Sequence, residues 1–262
     1  MPVLKVNGAH LDVVQAGAGR DLVLLHSLLT DRSAFDLVVP ALAKIRRLWL
    51  VNLPGYGAST PAGSSIEDYA DHIAGLFSVL RLPQQTDVLG NGFGGFIATA
   101  LAARHGEKFD RLIIADSLAA FPEPAKQPLK MLANKVRAEG MAGALDIAIS
   151  RMFPEPFAAA HPEIVAERKR ALEKADAACF YTACMALVNL DFAPILAQIS
   201  NPTLVMVGNQ DATTPPALAR QLAAGIAGAK FLEIPGCGHC PQIEKPEVFV
   251  ATVNDFLPAS AK

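Results

Sequence analysis

The chain has 262 residues, 52% of them hydrophobic and 18% charged, with a formal net charge of −2, a pI near 6.3 and a mean hydropathy of +0.30. That much apolar material builds a large core and excludes a disordered chain. The near-neutral charge leaves no basic stripe for a phosphate backbone, so no nucleic-acid partner is expected. At about 1.7 times a ~150-residue domain, the length fits one large domain or a domain carrying an insertion.

The opening Met1-Pro2-Val3-Leu4-Lys5 has no charged segment followed by an apolar one, so no secretory signal is expected. The most apolar helical run, Gly92 to Ala103, is too short to span a bilayer. Cys179, Cys184, Cys237 and Cys240 are too few for a disulfide scaffold in a chain this long. The expectation is a soluble, cytoplasmic protein with no membrane partner, compatible with a homodimer.

Short β-branched runs alternate with helical patterns along the first part of the chain. Strands are predicted over Leu11–Gln15 and Asp21–His26, a short helix over Phe35–Ala43, and a strand over Arg46–Leu53 closed by Pro54-Gly55-Tyr56-Gly57. A helix over Ile66–Leu80, a strand over Thr86–Gly90, a helix over Phe93–Arg104 and a strand over Arg111–Asp116 follow. Strands alternating with helices predict an α/β fold, a mostly parallel sheet with helices on both faces. From Ala119 to about Pro194 no strand is evident, and prolines break the stretch into several helices. Alternation then resumes with strand Thr203–Val207, helix Pro216–Ala224, strand Lys230–Ile234 and a last helix from Pro246 to Phe256. The plan is a core made of residues 1–118 and 195–262, with a helical insertion over 119–194.

The most informative segment is Val88-Leu89-Gly90-Asn91-Gly92-Phe93-Gly94-Gly95, a strand turning through glycines into a helix. Gly90, Gly92 and Gly95 satisfy the G-x-G-x-x-G dinucleotide fingerprint, with Asp116 at the end of the next strand, where an acid would meet a ribose hydroxyl. The same segment resembles the nucleophile elbow of the α/β hydrolases, G-x-S-x-G, with Gly92 standing where the serine belongs.

The rest of the chain favours the second reading. His26-Ser27-Leu28-Leu29 resembles the oxyanion loop of that superfamily, and Leu53-Pro54-Gly55-Tyr56-Gly57-Ala58-Ser59 resembles its P-G-x-G-x-S turn. Val207-Gly208-Asn209-Gln210-Asp211 resembles the turn carrying the triad acid, and Pro235-Gly236-Cys237-Gly238-His239 the turn carrying the triad histidine. The resemblance covers essentially the whole chain and makes the insertion a lid. Within the superfamily, Gly90-Asn91-Gly92-Phe93-Gly94-Gly95 and His239-Cys240-Pro241-Gln242-Ile243-Glu244 look like hydrolases that cleave carbon–carbon bonds of aromatic ring-fission products. By contrast, His26-Ser27-Leu28-Leu29-Thr30-Asp31-Arg32 is closer to the loop of the 3-oxoadipate enol-lactonases.

The resemblance implies that His239 is the base, Asp211 its partner, and the amides of Phe93 and of Leu28, beside Ser27, the oxyanion donors. It implies no cofactor. The substrate class is a small or medium carboxylic ester or lactone, with ring-fission C–C hydrolysis as the alternative. The expected nucleophile is missing, since Gly92 has no side chain. In another enzyme, removing the serine of such a triad costs ~10⁶-fold in turnover, or ~8 kcal/mol of barrier. The oxyanion hole and binding still leave ~10³–10⁴-fold over water. Three explanations stand: an introduced serine-to-glycine replacement, a water activated by His239, and a ligand-binding protein that has lost the reaction.

Ser117 reads as a strand-end residue and Ser27 as part of the oxyanion loop, so neither is expected to be a nucleophile. Cys237-Gly238-His239-Cys240 matches a C-x-x-C redox pattern, but outside the thioredoxin-like unit that gives the pattern its chemistry. No metal site is expected, because four-ligand spacing is absent. His10, His72, His105 and His161 read as solvated, and His26 as a brace for the oxyanion loop. Asp116 reads as a strand-end residue or an alternative partner for His239. Phe121, Phe153, Phe157, Phe180, Tyr181 and Phe192 read as lid core with some facing the pocket. Few cations lie near the motifs, so a strongly anionic substrate is not indicated unless Arg137, Arg151, Arg168 or Arg170 points inward from the lid.

Overall fold

A computed structural model of the chain describes residues 3–258. Met1 and Pro2, where the reading for a signal segment begins, and residues 259–262 of the second core stretch lie outside them. Eight strands form one sheet: β1 Val3–Val6, β2 Ala9–Gly17, β3 Arg20–Leu25, β4 Arg46–Val51, β5 Asp87–Asn91, β6 Leu112–Ala115, β7 Thr203–Gly208 and β8 Lys230–Ile234. Their spatial order is β1-β2-β4-β3-β5-β6-β7-β8. β1 and β4 pair with β2 antiparallel, and the remaining pairs are parallel. β1 lies outside the predicted strands, and its Val3 and Lys5 are exposed, so its pattern carries little hydrophobic signal.

The central strands are buried on both faces, as parallel strands covered by helices are. In β3, Val23 and Leu25 enter one hydrophobic core while Leu22 and Leu24 enter the other, which is the period-2 alternation of a strand. Helices α1 Val39–Leu42, α2 Ile66–Leu80 and α3 Phe93–His105 connect β3 to β4, β4 to β5 and β5 to β6. A capping box between Ser65 and Asp68 starts α2. The predicted helix over Phe35–Ala43 is instead a 3₁₀ turn over Arg32–Phe35 followed by α1. Pro40 explains the break, because a proline is accommodated only in the first turn of a helix.

Between β6 and β7 the chain forms α4 Glu123–Glu139, α5 Leu145–Met152, α6 Glu155–Ala160, α7 Pro162–Leu172 and α8 Ala177–Val188. The ends of this segment are tied together by a bridge between Ala120 and Asp191 and by Phe192 N–H donating to the Ala119 carbonyl. Helices α9 Pro216–Gly225, α10 Pro241–Glu244 and α11 Pro246–Phe256 complete the fold. Among the described residues, no helix is long and apolar enough to cross a membrane. The chain leaves β3 toward β4 on one side and returns to β5 on the other. The crevice at the carboxyl ends of β3 and β5 is therefore the topological switch point, where open α/β sheets bind ligands.

Candidate active site

The turns at the carboxyl ends of the parallel strands bring the sequence motifs together. Ser27 follows β3, Gly92 follows β5, Asp116 follows β6, Asp211 follows β7 and His239 follows β8. Gly92 caps α3 with φ 54° and ψ −115°, a region that side-chain-bearing residues occupy only at a cost. Its N–H donates to the Ala115 carbonyl and its carbonyl accepts from Phe96 N–H. Ser117 Oγ donates to the same carbonyl at 3.0 Å, so the serine after β6 holds the underside of the turn. A β-carbon at Gly90 would meet the backbone of Gly94 and Gly95, and one at Gly95 would meet Ser117 Oγ. These two glycines of the dinucleotide pattern thus serve packing between α3 and the sheet.

His239 Nδ1 lies 2.8 Å from Asp211 Oδ2, with both residues buried. Asp211 Oδ1 accepts from Thr213 N–H at 2.7 Å and Thr214 N–H at 3.0 Å, and Thr214 Oγ donates to Oδ2. Burial opposes the Asp211 carboxylate, but His239 and these donors together hold its pKa below the usual range. With Nδ1–H donated to Asp211, Nε2 is left as the basic nitrogen. It faces Ser27 Oγ at 3.2 Å. The sequence reading placed Ser27 in the oxyanion loop and gave no reason for its hydroxyl to reach His239.

The histidine turn is fixed from several sides. Glu244 accepts from Gly238 N–H at 2.8 Å and Cys240 N–H at 3.1 Å. Asn91 Nδ2 donates to the His239 carbonyl at 3.1 Å, and Gln242 Nε2 donates to Asn91 Oδ1 at 3.1 Å. His239 N–H reaches the Met152 carbonyl at the end of α5. Sequence reasoning quoted Asn91, Gln242 and Glu244 only as parts of motifs and did not give them these positioning roles. Thr213 and Thr214 were missed outright, although Asp followed by Thr two and three residues later is a local capping signal.

Asp116 does not bond His239. Its Oδ1 accepts from Gly208 N–H at 3.0 Å and its Oδ2 from Asn91 Nδ2 at 3.0 Å. Burial, reinforced by the charge of Asp211, drives its carboxyl well above the usual range. Enclosed in this way, it offers nothing to a ribose. Asp116, Asp211 and His239 do bring ligand-type atoms within 4.8 Å of one another. A cation there would have to displace the hydrogen bonds just described.

The oxyanion loop is held by its own backbone. His26 Nδ1 donates to the Ser27 carbonyl at 2.8 Å, while Nε2 accepts Leu53 N–H at 3.0 Å. Both partners are backbone groups, so the ring is a neutral Nδ1–H tautomer, and burial lowers its pKa to about 4. Thr30 N–H and Oγ also donate to the Ser27 carbonyl, and Tyr56 OH donates to the Leu28 carbonyl. Among the described residues, the N–H groups of Leu28 and Phe93 have no acceptor, and the latter sits at the positive end of α3.

Above this floor lies a cavity of about 30 Å³ lined by Ser27, Gly92, Phe96, Leu132, Arg151 and His239, with Thr213, Thr214 and further apolar side chains between them. Its wall includes side chains from α4, α5 and α8. Of the aromatic residues flagged in the insertion, Phe121 reaches the cavity, joined by Phe93 and Phe96. Phe153, Phe180 and Phe192 are core, Tyr181 meets Arg137, and Phe157 stacks between Phe153 and His161.

Arg151 is the flagged arginine that reaches the cavity, and burial presses its pKa down. Arg168 instead pairs with Asp31 and Glu167, and Arg170 is exposed. The histidine reading needs one correction: His72 is buried, because it falls on the α2 face shared by Tyr69 and Leu76. His105 pairs with Asp71 and His161 with Glu163. All four cysteines are free and buried, and burial raises every thiol pKa, Cys179 and Cys184 to about 12. Cys237 and Cys240 thus lack the stabilised thiolate that redox chemistry needs.

The chain is 31% identical to the 2-hydroxymuconate semialdehyde hydrolase of Pseudomonas sp. (strain CF600), over 95% of this chain and 91% of that protein. It is 32% identical to 3-oxoadipate enol-lactonase 2 of Acinetobacter baylyi, over 78% of this chain and 75% of that protein. Its structure resembles the crystal structure of the enol-lactonase from Burkholderia xenovorans LB400, with a TM-score of 0.92 and 31% identity, covering 98% of this chain and 99% of that one. Residues 22–252 match the model of the alpha/beta hydrolase family, and the chain belongs to it.

Proposed function

From membership of that family, we propose that the chain hydrolyses a small or medium carboxylic ester or lactone in the cavity above Gly92. The observation that carries this reading is the buried 2.8 Å contact between His239 Nδ1 and Asp211 Oδ2, with Nε2 turned to the cavity. Asp211 fixes the tautomer, and His239 Nε2 takes the proton from the attacking oxygen as general base. The carbonyl oxygen gains charge as the attack proceeds and is met by the N–H groups of Leu28 and Phe93. Each such donor is worth ~10²–10³-fold in comparable enzymes. His239 then returns the proton to the departing alkoxide. The substrate needs no cofactor for this chemistry.

Arg151 adds a feature to the substrate. Arg151 lines a largely apolar cavity, and its guanidinium favours a substrate with a carboxylate at the end remote from the reacting carbonyl. This also supports the second reading, in which the bond broken next to the carbonyl is the C–C bond of an acidic ring-fission product. The apolar wall made by α4 and α8 serves as a lid in either case. The experiment is hydrolysis of short aryl esters, an enol-lactone and a ring-fission dicarboxylate by the purified chain. Turnover of the ester or lactone supports the first reading, and turnover of the dicarboxylate alone supports the second. Micromolar binding without turnover marks a binding protein instead.

A further inference from the structure

We propose that Ser27, reached from the neighbouring loop, supplies the attacking oxygen in place of a side chain at position 92 and carries the acyl group through the reaction. The inference rests on the hydrolase reading above and adds a covalent intermediate to it.

Ser27 Oγ lies 3.2 Å from His239 Nε2, and the Nδ1–H of the same ring is given to Asp211. The hydroxyl therefore donates to a nitrogen whose only free function is to accept. This completes a hydroxyl–imidazole–carboxylate relay of the kind that activates serine nucleophiles. The hydroxyl also stands in the space above the turn after β5. A β-carbon built on Gly92 would fall under 3 Å from Ser27 Oγ, 2.7 Å from His239 Nε2 and 2.9 Å from Ser27 Cβ. Gly92 thus makes room for Ser27, and the two positions cannot both present a side chain to His239 in this arrangement.

The Ser27 backbone is fixed by three donors to its carbonyl, from His26, Thr30 N–H and Thr30 Oγ. Ser27, Leu28 and Phe93 all line the same cavity, and in this proposal the carbonyl that Oγ attacks turns its oxygen to the Leu28 and Phe93 N–H groups. The other hydroxyl considered, Ser117, is committed beneath the turn to the Gly92 carbonyl.

The step balances without a further reagent. The Ser27 proton passes to His239 Nε2 as Oγ bonds to the carbonyl carbon. The carbon–alkoxide bond then breaks, and the alkoxide takes the proton from His239, leaving an ester on Ser27. Water, deprotonated by His239, attacks that ester, and Ser27 Oγ leaves with the proton. A lactone follows the same course, its alcohol remaining part of the acyl group.

The test uses a fluorophosphonate, which reports an activated serine without knowledge of the substrate, together with aryl-ester turnover. The expected result is one phosphonyl adduct on the tryptic peptide 21–32, whose single serine is Ser27. The adduct is absent in Ser27→Ala and in His239→Ala. Aryl-ester turnover falls by ~10³-fold or more in Ser27→Ala, and Ser27→Cys accumulates a thioester visible in the intact mass. Ser27→Ala turning over esters as fast as the parent overturns the inference while leaving the hydrolase reading intact. An adduct on any other residue also overturns it. An adduct on Ser27 without turnover of any ester or lactone upholds Ser27 and overturns the hydrolase reading. Neither adduct nor turnover overturns both.

Discussion

Ser27 and His239 are separated by 212 residues in the chain, yet Ser27 Oγ meets His239 Nε2 at 3.2 Å in the space that a β-carbon at Gly92 would enter. One comes from the end of β3 and the other from the turn after β8, and the glycine between them is what allows the approach.

This geometry sets the expected effect of restoring a side chain at the turn. Gly92 has φ 54° and ψ −115°, where an L-residue carries a strain of order 1–3 kcal/mol. A serine there also crowds Ser27 and His239. At ~2–4 °C per kcal/mol for a protein approaching this size, Gly92→Ser lowers the melting temperature by roughly 2–12 °C. Differential scanning calorimetry checks this, and a rise in melting temperature contradicts it.

Asp116 gives a pH signature. Burial first, and the Asp211 charge second, hold its carboxyl well above the usual range, whereas in the unfolded chain it ionises near ~3.9. Between these values the folded state keeps a proton that the unfolded state has released, so this group's contribution to stability falls as pH rises above about 4. Asp116→Asn removes that dependence, but its amide nitrogen cannot accept one of the two N–H bonds that the carboxyl oxygens receive. The variant's melting temperature is expected to lie furthest below the parent's near pH 4, with the gap narrowing toward pH 8. A gap that does not change with pH contradicts the assignment.

Arg151 predicts a specificity effect. Arg151→Met keeps most of the side-chain volume and removes the charge from the cavity wall. A charged hydrogen bond contributes ~1.5–3 kcal/mol, so KM for the half-ester of a dicarboxylic acid is expected to rise ~10–100-fold, with kcat little changed. A neutral ester of the same length is expected to be unaffected. Equal losses for the two esters would assign Arg151 to the fold instead.

Much of this architecture can be read from the sequence, where local signals agree. Helix α2 runs from Ile66 to Leu80 as its apolar spacing predicts, and the strand–glycine–helix pattern around Gly92 forms as expected. Where a local rule overrides the broader pattern, the reading drifts: Pro40 divides the helix predicted over Phe35–Ala43. His72 goes inside because it sits on the apolar side of α2, where one polar residue does not alter the pattern. The motifs identify His239, Asp211 and Gly92 as turn residues, but the bond from Ser27 to His239 depends on the relative placement of β3 and β8, which no local spacing encodes. Arg151 is one of four arginines named in the insertion, and which of them reaches the cavity depends on the packing of α5, which local spacing does not encode.

The most direct test of the proposed function is the initial rate of short aryl-ester and enol-lactone hydrolysis by the parent chain and by His239→Ala, with both confirmed folded by near-UV circular dichroism. The parent is expected to turn over at least one of these substrates, and the variant to lose ~10³-fold or more. Equal rates in the two proteins, or no hydrolysis by the parent, would contradict the role assigned to the His239–Asp211 pair.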